Sequence, residues 1–273
     1  MTPEPVTAPG SPAIPNGGTP NALHAEGKGT GLFMSSDHKY WHNGKGPMPS
    51  VTTILRVLDK PALSSWYKRQ VAEAAVLRQE EWSSKPVTEA VSWLMSMPDG
   101  TRDNAAAKGT AIHGLVDIAG RASPEAGTAL PVSPEYLEAL TAFQRFLEAR
   151  GGSQAIVSSE KAILNLSEGY AGTFDLLMHI DSELWLVDVK TGKGVYPDYA
   201  LQLAAYGMAE HIALPNDPSL YPFPTPTRYG VLHLRPEAYP GDGYRLIEYQ
   251  ITDKERLAFL AACELWRWMQ EHK

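Results

Sequence analysis

Gly172-Thr-Phe-Asp175, followed thirteen residues later by Asp188-Val-Lys190 at the end of Leu184-Trp-Leu-Val-Asp, is the stretch on which the fold turns. Tyr170 to Ile180 and Glu183 to Val189 carry β-branched and aromatic residues, and Asp181-Ser182 suits a tight turn between them. The pattern predicts a hairpin of two adjacent strands. Asp175 lies mid-strand among apolar neighbours, where a charge is hard to explain structurally, and hairpin pairing sets it beside Asp188. Strand alternation puts Asp188 and Lys190 on one side and Val189 on the other. A carboxylate after so apolar a run is either leaving the sheet or held by a partner, because burying an unpaired charge is very costly. An ion pair of Asp188 with Lys190 or a neighbour meets that demand by itself.

Upstream of the hairpin the chain reads as helices. Pro49-Ser50-Val-Thr-Thr-Ile-Leu looks like a helix start capped by Ser50. Apolar spacing predicts helices over Leu63 to Gln79, Val87 to Met97, Ala105 to Ala119 and Pro134 to Arg150, the last stopped by Gly151-Gly152. Ala155 to Leu164 is a strand leading into the hairpin. Downstream, Asp198 to Ala213 returns to helical spacing, Pro215 to Pro226 reads as a loop, and Arg228 to Leu234 and Tyr244 to Ile251 read as strands. A final helix over Asp253 to Gln270 is capped by Thr252 or Asp253. Residues 1 to 30, rich in Pro, Gly, Thr and Ala, are expected to be a disordered tail. The expected architecture is an α/β core with a helical N-terminal elaboration, one domain over 31–273 in which 31–150 is mainly helical.

Two neighbouring carboxylates repel unless a cation lies between them, and oxygen ligands suit Mg²⁺ or Mn²⁺. With a metal on Asp188, Lys190 is close enough to orient or deprotonate an attacking water and to stabilise charge on a phosphate. Asp175, Asp188 and Lys190 thus form a set able to hydrolyse a phosphodiester. His113 in Gly109-Thr-Ala-Ile-His is a further candidate, with Asp117 one helical turn on to hold its imidazole or ligate in its place. Glu160 in Ser158-Ser-Glu-Lys is either another acidic member or half of a surface pair. Gln202 and Tyr206 share a helix face and either reach the site or, for Tyr206, pack in the core. Lys68, Arg69 and Lys193, with Trp66 and Tyr67 interleaved on the helix, offer charge and stacking to a single strand, and Thr191 and Ser50 add hydroxyls. Lys68-Arg69 equally suits a solvated helix face. Gly169 and Gly172 permit close backbone approach or a turn and bulge. His38 and His42 resemble a metal pair but lack further ligands nearby, so a polar hairpin is preferred.

The 273 residues, 43% apolar with seven Trp, suffice for a packed core. A net charge of −7 argues against coating nucleic acid by bulk electrostatics, without excluding a local basic groove. Cys263, the only cysteine, excludes an internal disulfide or a cluster held by several thiolates of this chain. No apolar run is long enough to span a bilayer and Met1-Thr-Pro-Glu-Pro lacks signal character, so the expectation is a cytoplasmic protein, in host cytoplasm if of phage origin.

In order along the chain, Gly109-Thr-Ala-Ile-His113, Glu160, Gly172-Thr-Phe-Asp175, Asp188-Val-Lys190 and Gln202-Leu-Ala-Ala-Tyr206 resemble the PD-(D/E)xK nuclease superfamily, in its RecB-like exonuclease branch. Pro49-Ser-Val-Thr-Thr-Ile-Leu with Ala62-Leu-Ser-Ser-Trp66 is similar to the N-terminal region of mitochondrial genome maintenance exonucleases and their phage and bacterial relatives, so the resemblance covers residues 37 to 212. It implies a restriction-endonuclease-like mixed sheet flanked by helices, with metal held by His113, Asp175, Asp188 and the carbonyl of Val189. It further implies that Lys190 positions the nucleophilic water, that Gln202 and Tyr206 place the nucleic-acid backbone, and that the N-terminal helices arch over the strand. With one cysteine the chain departs from the iron-sulfur-bearing subgroup. The implied activity is a metal-dependent DNA exonuclease acting on single-stranded ends, with replication or recombination proteins as possible partners. A structure-specific endonuclease or a recombination exonuclease acting on duplex ends, or a non-catalytic nucleic-acid-binding module, would share the same residues.

Overall fold

The computed structural model describes residues 31–35, 39–120, 134–214 and 217–273. The expected tail over 1–30 and the reading of His38 lie outside the described residues. Three short strands, β1 (Leu32–Met34), β2 (Lys39–His42) and β3 (Lys45–Pro49), form a small antiparallel sheet. It includes the expected hairpin, turning at Asn43-Gly44, both with positive φ. Helices α1 (Val51–Ile54), α2 (Pro61–Leu77), α3 (Gln79–Trp82), α4 (Val87–Gly120) and α5 (Pro134–Ala149) follow. Ser50 caps α1 by accepting a hydrogen bond from Thr53 N at 3.0 Å.

The remainder supplies a seven-stranded mixed sheet: β4 (Ile156–Asn165), β5 (Tyr170–Ile180), β6 (Glu183–Lys190), β7 (His211–Ala213), β8 (Leu220–Pro222), β9 (Arg228–Leu234) and β10 (Tyr244–Tyr249), in the order β10-β9-β6-β5-β4-β7-β8. Among the described strand pairs of this sheet, β6 and β9 run parallel and the others antiparallel. Their connection needs a crossover, and α6 (Asp198–Gly207) lies within it. The β5–β6 turn is at Asp181-Ser182, with φ of 50° and 68°, as two-residue hairpins of right-handed twist require. Helix α7 (Asp253–Glu271) ends the fold on a capping box of Thr252 and Glu255.

Helices cover both sheet faces. Val51 and Ile54 of α1, Leu203 and Tyr206 of α6 and Phe259 of α7 pack with Tyr170, Phe174, Leu186 and Val231 in one core. Ile112 and Val116 of α4 and Phe143 and Phe146 of α5 pack with Leu176, Met178, Val187 and Leu232 in the other. Segments before residue 150 therefore complete both cores of a sheet built after it. Tyr170 and Phe174 enter the first core, whereas Leu176, Met178 and Ile180 enter the second. Residues of one parity should share a face, so β5 exchanges its faces across Asp175.

Three expectations are corrected. Val87 to Met97 and Ala105 to Ala119 belong to one 34-residue helix, α4, with Pro98 inside it. Arg102 pairs with Asp99 at 3.2 Å and with Asp103 at 3.0 Å, supporting the turn after the proline. The helix expected to reach Ala213 stops at Gly207, and His211–Ala213 is β7, drawn out by pairing with the edge of β4. Within the segment expected to be all loop, Leu220–Pro222 forms β8 against β7.

Gly172 is a close-approach glycine, since a Cβ there would come 2.7 Å from Tyr206 Cε1 and 3.4 Å from Val51 Cγ2. Gly169 is instead a turn residue with φ of 63°. Gly172→Ala is expected to destabilise the fold by about 1–3 kcal/mol through overpacking. Gly100→Ala, in α4 with nothing within 4 Å of the new methyl, should stabilise it by about 0.5–1 kcal/mol. Urea titrations of the two variants check both signs.

Candidate metal centre

The β4–β5 register pairs Ser159 with Leu176 and Lys161 with Phe174, which leaves Glu160 opposite Asp175. The β5–β6 register ends at Leu176 with Val187, so Asp175 and Asp188 occupy the next opposed positions. Three carboxylates therefore stand in a row across three neighbouring strands, at the level where β5 exchanges faces. Neither Glu160–Asp175 nor Asp175–Asp188 is a ladder pair. Glu160 has φ of 47°, a left-handed conformation costing a non-glycine residue on the order of 1 kcal/mol. Asp175 Oδ2 accepts a hydrogen bond from Val189 N at 2.5 Å, so a side chain bridges the strands where the β5–β6 ladder has ended.

Helix α4 brings His113 to the row, anchored by Ile112 and Val116 in the second core. His113 Nδ1 lies 3.1 Å from Glu160 Oε1 and 3.3 Å from Asp175 Oδ1. At the other end, Lys190 Nζ lies 2.6 Å from Asp188 Oδ2. That contact pairs Oδ2 with the ammonium, and the other carboxylate oxygen, Oδ1, is buried with no hydrogen-bond partner. Lys190 Nζ also sits 5.1 Å from the Tyr199 ring centroid.

The electrostatics follow from this packing. Burial pushes Asp188 up to about 6, Asp175 adding to the rise, with Lys190 opposing. Burial likewise pushes Glu160 up to about 7, against the pull of His113. Burial works against a charged His113, but Asp175 and Glu160 outweigh it and raise the imidazole well above its ordinary value. Asp175, despite burial, is held low by His113, Lys190 and the Val189 N–H. Lys190 is raised because Asp188 and Asp175 overcome its burial. An imidazolium and an ammonium thus balance the carboxylate row.

The structure brings His113, Glu160, Asp175, Asp188 and Lys190 together. Ligand atoms of His113, Glu160 and Asp175 lie within 4.8 Å of one another, the one such group among the described residues. The resemblance places Asp188 rather than Glu160 among the metal ligands. Here Glu160 joins the compact group, while Asp188, needing a counter-charge, turns to Lys190. Val189 touches the site through its N–H. Asp117 accepts a hydrogen bond from Ser159 Oγ at 2.9 Å, tying α4 to β4 beside Glu160. Gln202 and Tyr206 are buried, and the amide donates to the phenol at 3.0 Å. Burial, then the charges of Asp188 and Asp175, raise the Tyr206 phenol well above its usual value.

Other candidates stand apart. Ser50 is buried and its hydroxyl is engaged with Thr52 and Thr53. Trp66 packs edge-on to Tyr67 on α2, and Lys68 and Arg69 are solvent-exposed. Helix α2 meets α4 through Tyr67, whose hydroxyl is 3.3 Å from Arg102 Nη1, and Lys60, just before α2, lies 2.8 Å from Asp198 in the first turn of α6. Thr191 and Lys193 lie in the loop after β6. Sequence reasoning missed Tyr199, although its three-residue spacing from Gln202 was a usable signal. It also missed Tyr40, whose hydroxyl is 3.1 Å from Thr173 Oγ1, and His233, opposite Lys190 on β9. Nothing local marked those two.

One imidazole, clustered carboxylate oxygens and the buried, unpartnered Asp188 Oδ1 fit a hard divalent cation. The folded values of Asp188 and Glu160 lie above the unfolded ones. Each therefore favours folding below the ordinary carboxylate range, and that contribution is lost as pH rises through about 6 and about 7. Mn²⁺ should raise the melting temperature at pH 7.5, by the equivalent of about 2.7 kcal/mol at a hundred times its dissociation constant, and less at pH 5. Glu160→Gln or Asp175→Asn should abolish the shift, as thermal melts with Mn²⁺ or EDTA would record. No protein-family model matches the chain, and no curated protein sequence does.

Proposed function

We propose that this chain is a divalent-metal-dependent nuclease with a PD-(D/E)xK core, an exonuclease hydrolysing DNA phosphodiester bonds from single-stranded ends in replication, recombination or repair. The observation that carries the reading is the row of Glu160, Asp175 and Asp188 on three adjacent strands, with His113 at one end and Lys190 at the other. Stability alone gives no reason to gather three carboxylates there, since like charges at short range raise one another's cost. A buried acceptor oxygen with no partner, Asp188 Oδ1, adds to that cost.

His113, Glu160, Asp175 and Asp188 would hold Mg²⁺ or Mn²⁺, which when bound lowers the pKa of water and neutralises charge on the scissile phosphate. Lys190, fixed between Asp188 and the Tyr199 ring, orients the attacking water and offers its ammonium to the phosphate oxygens. The Val189 N–H fixes the rotamer of Asp175, and Ser159 with Asp117 fixes α4 against β4 so that His113 and Glu160 stay in register. Thr191 and Lys193 contact the strand's backbone next to the site, while the buried Gln202–Tyr206 pair supports the site from beneath rather than meeting the strand. Trp66, Lys68 and Arg69 on the α2 arm contact it further out by stacking and charge. The net charge of −7 suits an enzyme with acidic ligands and local basic contacts.

Lys190→Ala and Asp188→Asn should each lower cleavage of end-labelled single-stranded DNA by at least about 10²–10³-fold, with the fold retained by circular dichroism. EDTA should stop the wild type, and circular single strands should resist it. Digestion by Asp188→Asn at the wild-type rate would sink the assignment, and cutting of circles would replace the exonuclease reading with an endonuclease.

A further inference from the structure

We infer that His233 and Arg235 are positioning residues, which fix the loop after Lys190 so that it meets a phosphate of the bound strand. The inference rests on the nuclease reading for the identity of the ligand, while the clamp itself is a feature of the fold. His233 lies opposite Lys190 in the parallel β6–β9 ladder and is 3% exposed. Its Nε2 is 2.7 Å from the carbonyl oxygen of Gly192. A carbonyl only accepts, so Nε2 carries the proton. Nδ1, 2.7 Å from Tyr239 Oη, then accepts from the phenol when the imidazole is neutral. Both ring nitrogens are used, which leaves His233 no capacity to ligate a metal or meet substrate. Arg235 Nη1 donates to the same Gly192 oxygen at 3.0 Å, and its guanidinium is braced by Glu237.

Those two bonds are the hydrogen bonds that hold residues 192–195 among the described residues. The backbone N–H groups of Gly192, Lys193, Gly194 and Val195 donate to no described protein group, and Gly192 and Lys193 are solvent-exposed. Because the peptide unit is planar and trans, pinning the Gly192 carbonyl toward β9 turns the Lys193 N–H the opposite way. Exposed main-chain N–H groups with no described protein partner, on the loop that follows the Asp-x-Lys strand and carries Lys193, are donors that an anion can meet. In a phosphodiester hydrolase that anion is a backbone phosphate next to the scissile one. Two side chains on β9 thereby set the register of the strand relative to Lys190, through Gly192 and without touching the reacting atoms.

The test uses His233→Phe and, in case loss of a buried imidazole disturbs folding, Arg235→Gln. Melting temperature, tryptic cleavage after Lys193, and kcat and KM on a single-stranded oligonucleotide with Mn²⁺ are measured for each. A folded variant should be cut faster after Lys193 and show KM raised about tenfold with kcat within about threefold of wild type. A variant whose kcat falls while KM holds, or whose KM and tryptic pattern both stay at wild type, overturns the inference. A wild-type chain without hydrolysis overturns the nuclease reading and the phosphate ligand with it. An active wild type whose KM ignores both substitutions overturns this inference alone.

Discussion

Repulsion within the row of Glu160, Asp175 and Asp188 is the constraint around which the rest of the molecule is arranged. The register of β4, β5 and β6 sets three positions side by side, and all three are acidic. Without compensation this would cost several kcal/mol of like-charge and desolvation energy. The chain compensates from both sides of the sheet. His113 arrives on α4 through the second core, and Lys190 remains on β6 beside the first. A proton on the imidazole and an ammonium supply the positive charge that a divalent ion would otherwise bring.

The local backbone bends to this demand. β5 exchanges its faces across Asp175, Glu160 takes a left-handed conformation, and the Val189 N–H bonds to a side chain. Such irregularity mid-sheet loses ladder hydrogen bonds, and it turns a carboxylate from each core toward a shared space. The helices then act as clamps. Tyr206 presses on Gly172 from one side, and Asp117 holds Ser159 from the other. The packing that fills the cores and the packing that aims the row are the same packing.

Much of this was legible in the sequence because the relevant signals are local. The β5–β6 hairpin follows from strand composition and the Asp181-Ser182 turn, and its register sets Asp175 beside Asp188. Gln202 and Tyr206 follow from helical spacing. What escaped reading depends on distant pairing. β7 forms because β4 offers an open edge, not because His211–Ala213 favours a strand over the helix before it. α4 continues through Pro98 against the breaker signal, its C-terminal part held by Ile112 and Val116 in the second core. The direct contact of Glu160, itself a candidate from the sequence, with His113, the bond from Tyr40 to Thr173 and the His233 clamp each join residues more than 40 positions apart. No periodicity encodes those contacts.

The claim that ties these observations together is that the carboxylate row exists to hold a cation. Anomalous diffraction at the manganese edge, from crystals grown with Mn²⁺ at neutral pH, tests this most directly. The account predicts a peak at about 2.0–2.5 Å from oxygens of Asp175 and of Glu160 or Asp188, with His113 turned from proton donor to ligand. Crystals whose row keeps the His113 and Lys190 pairings, with no peak among the carboxylates at saturating Mn²⁺, would contradict it.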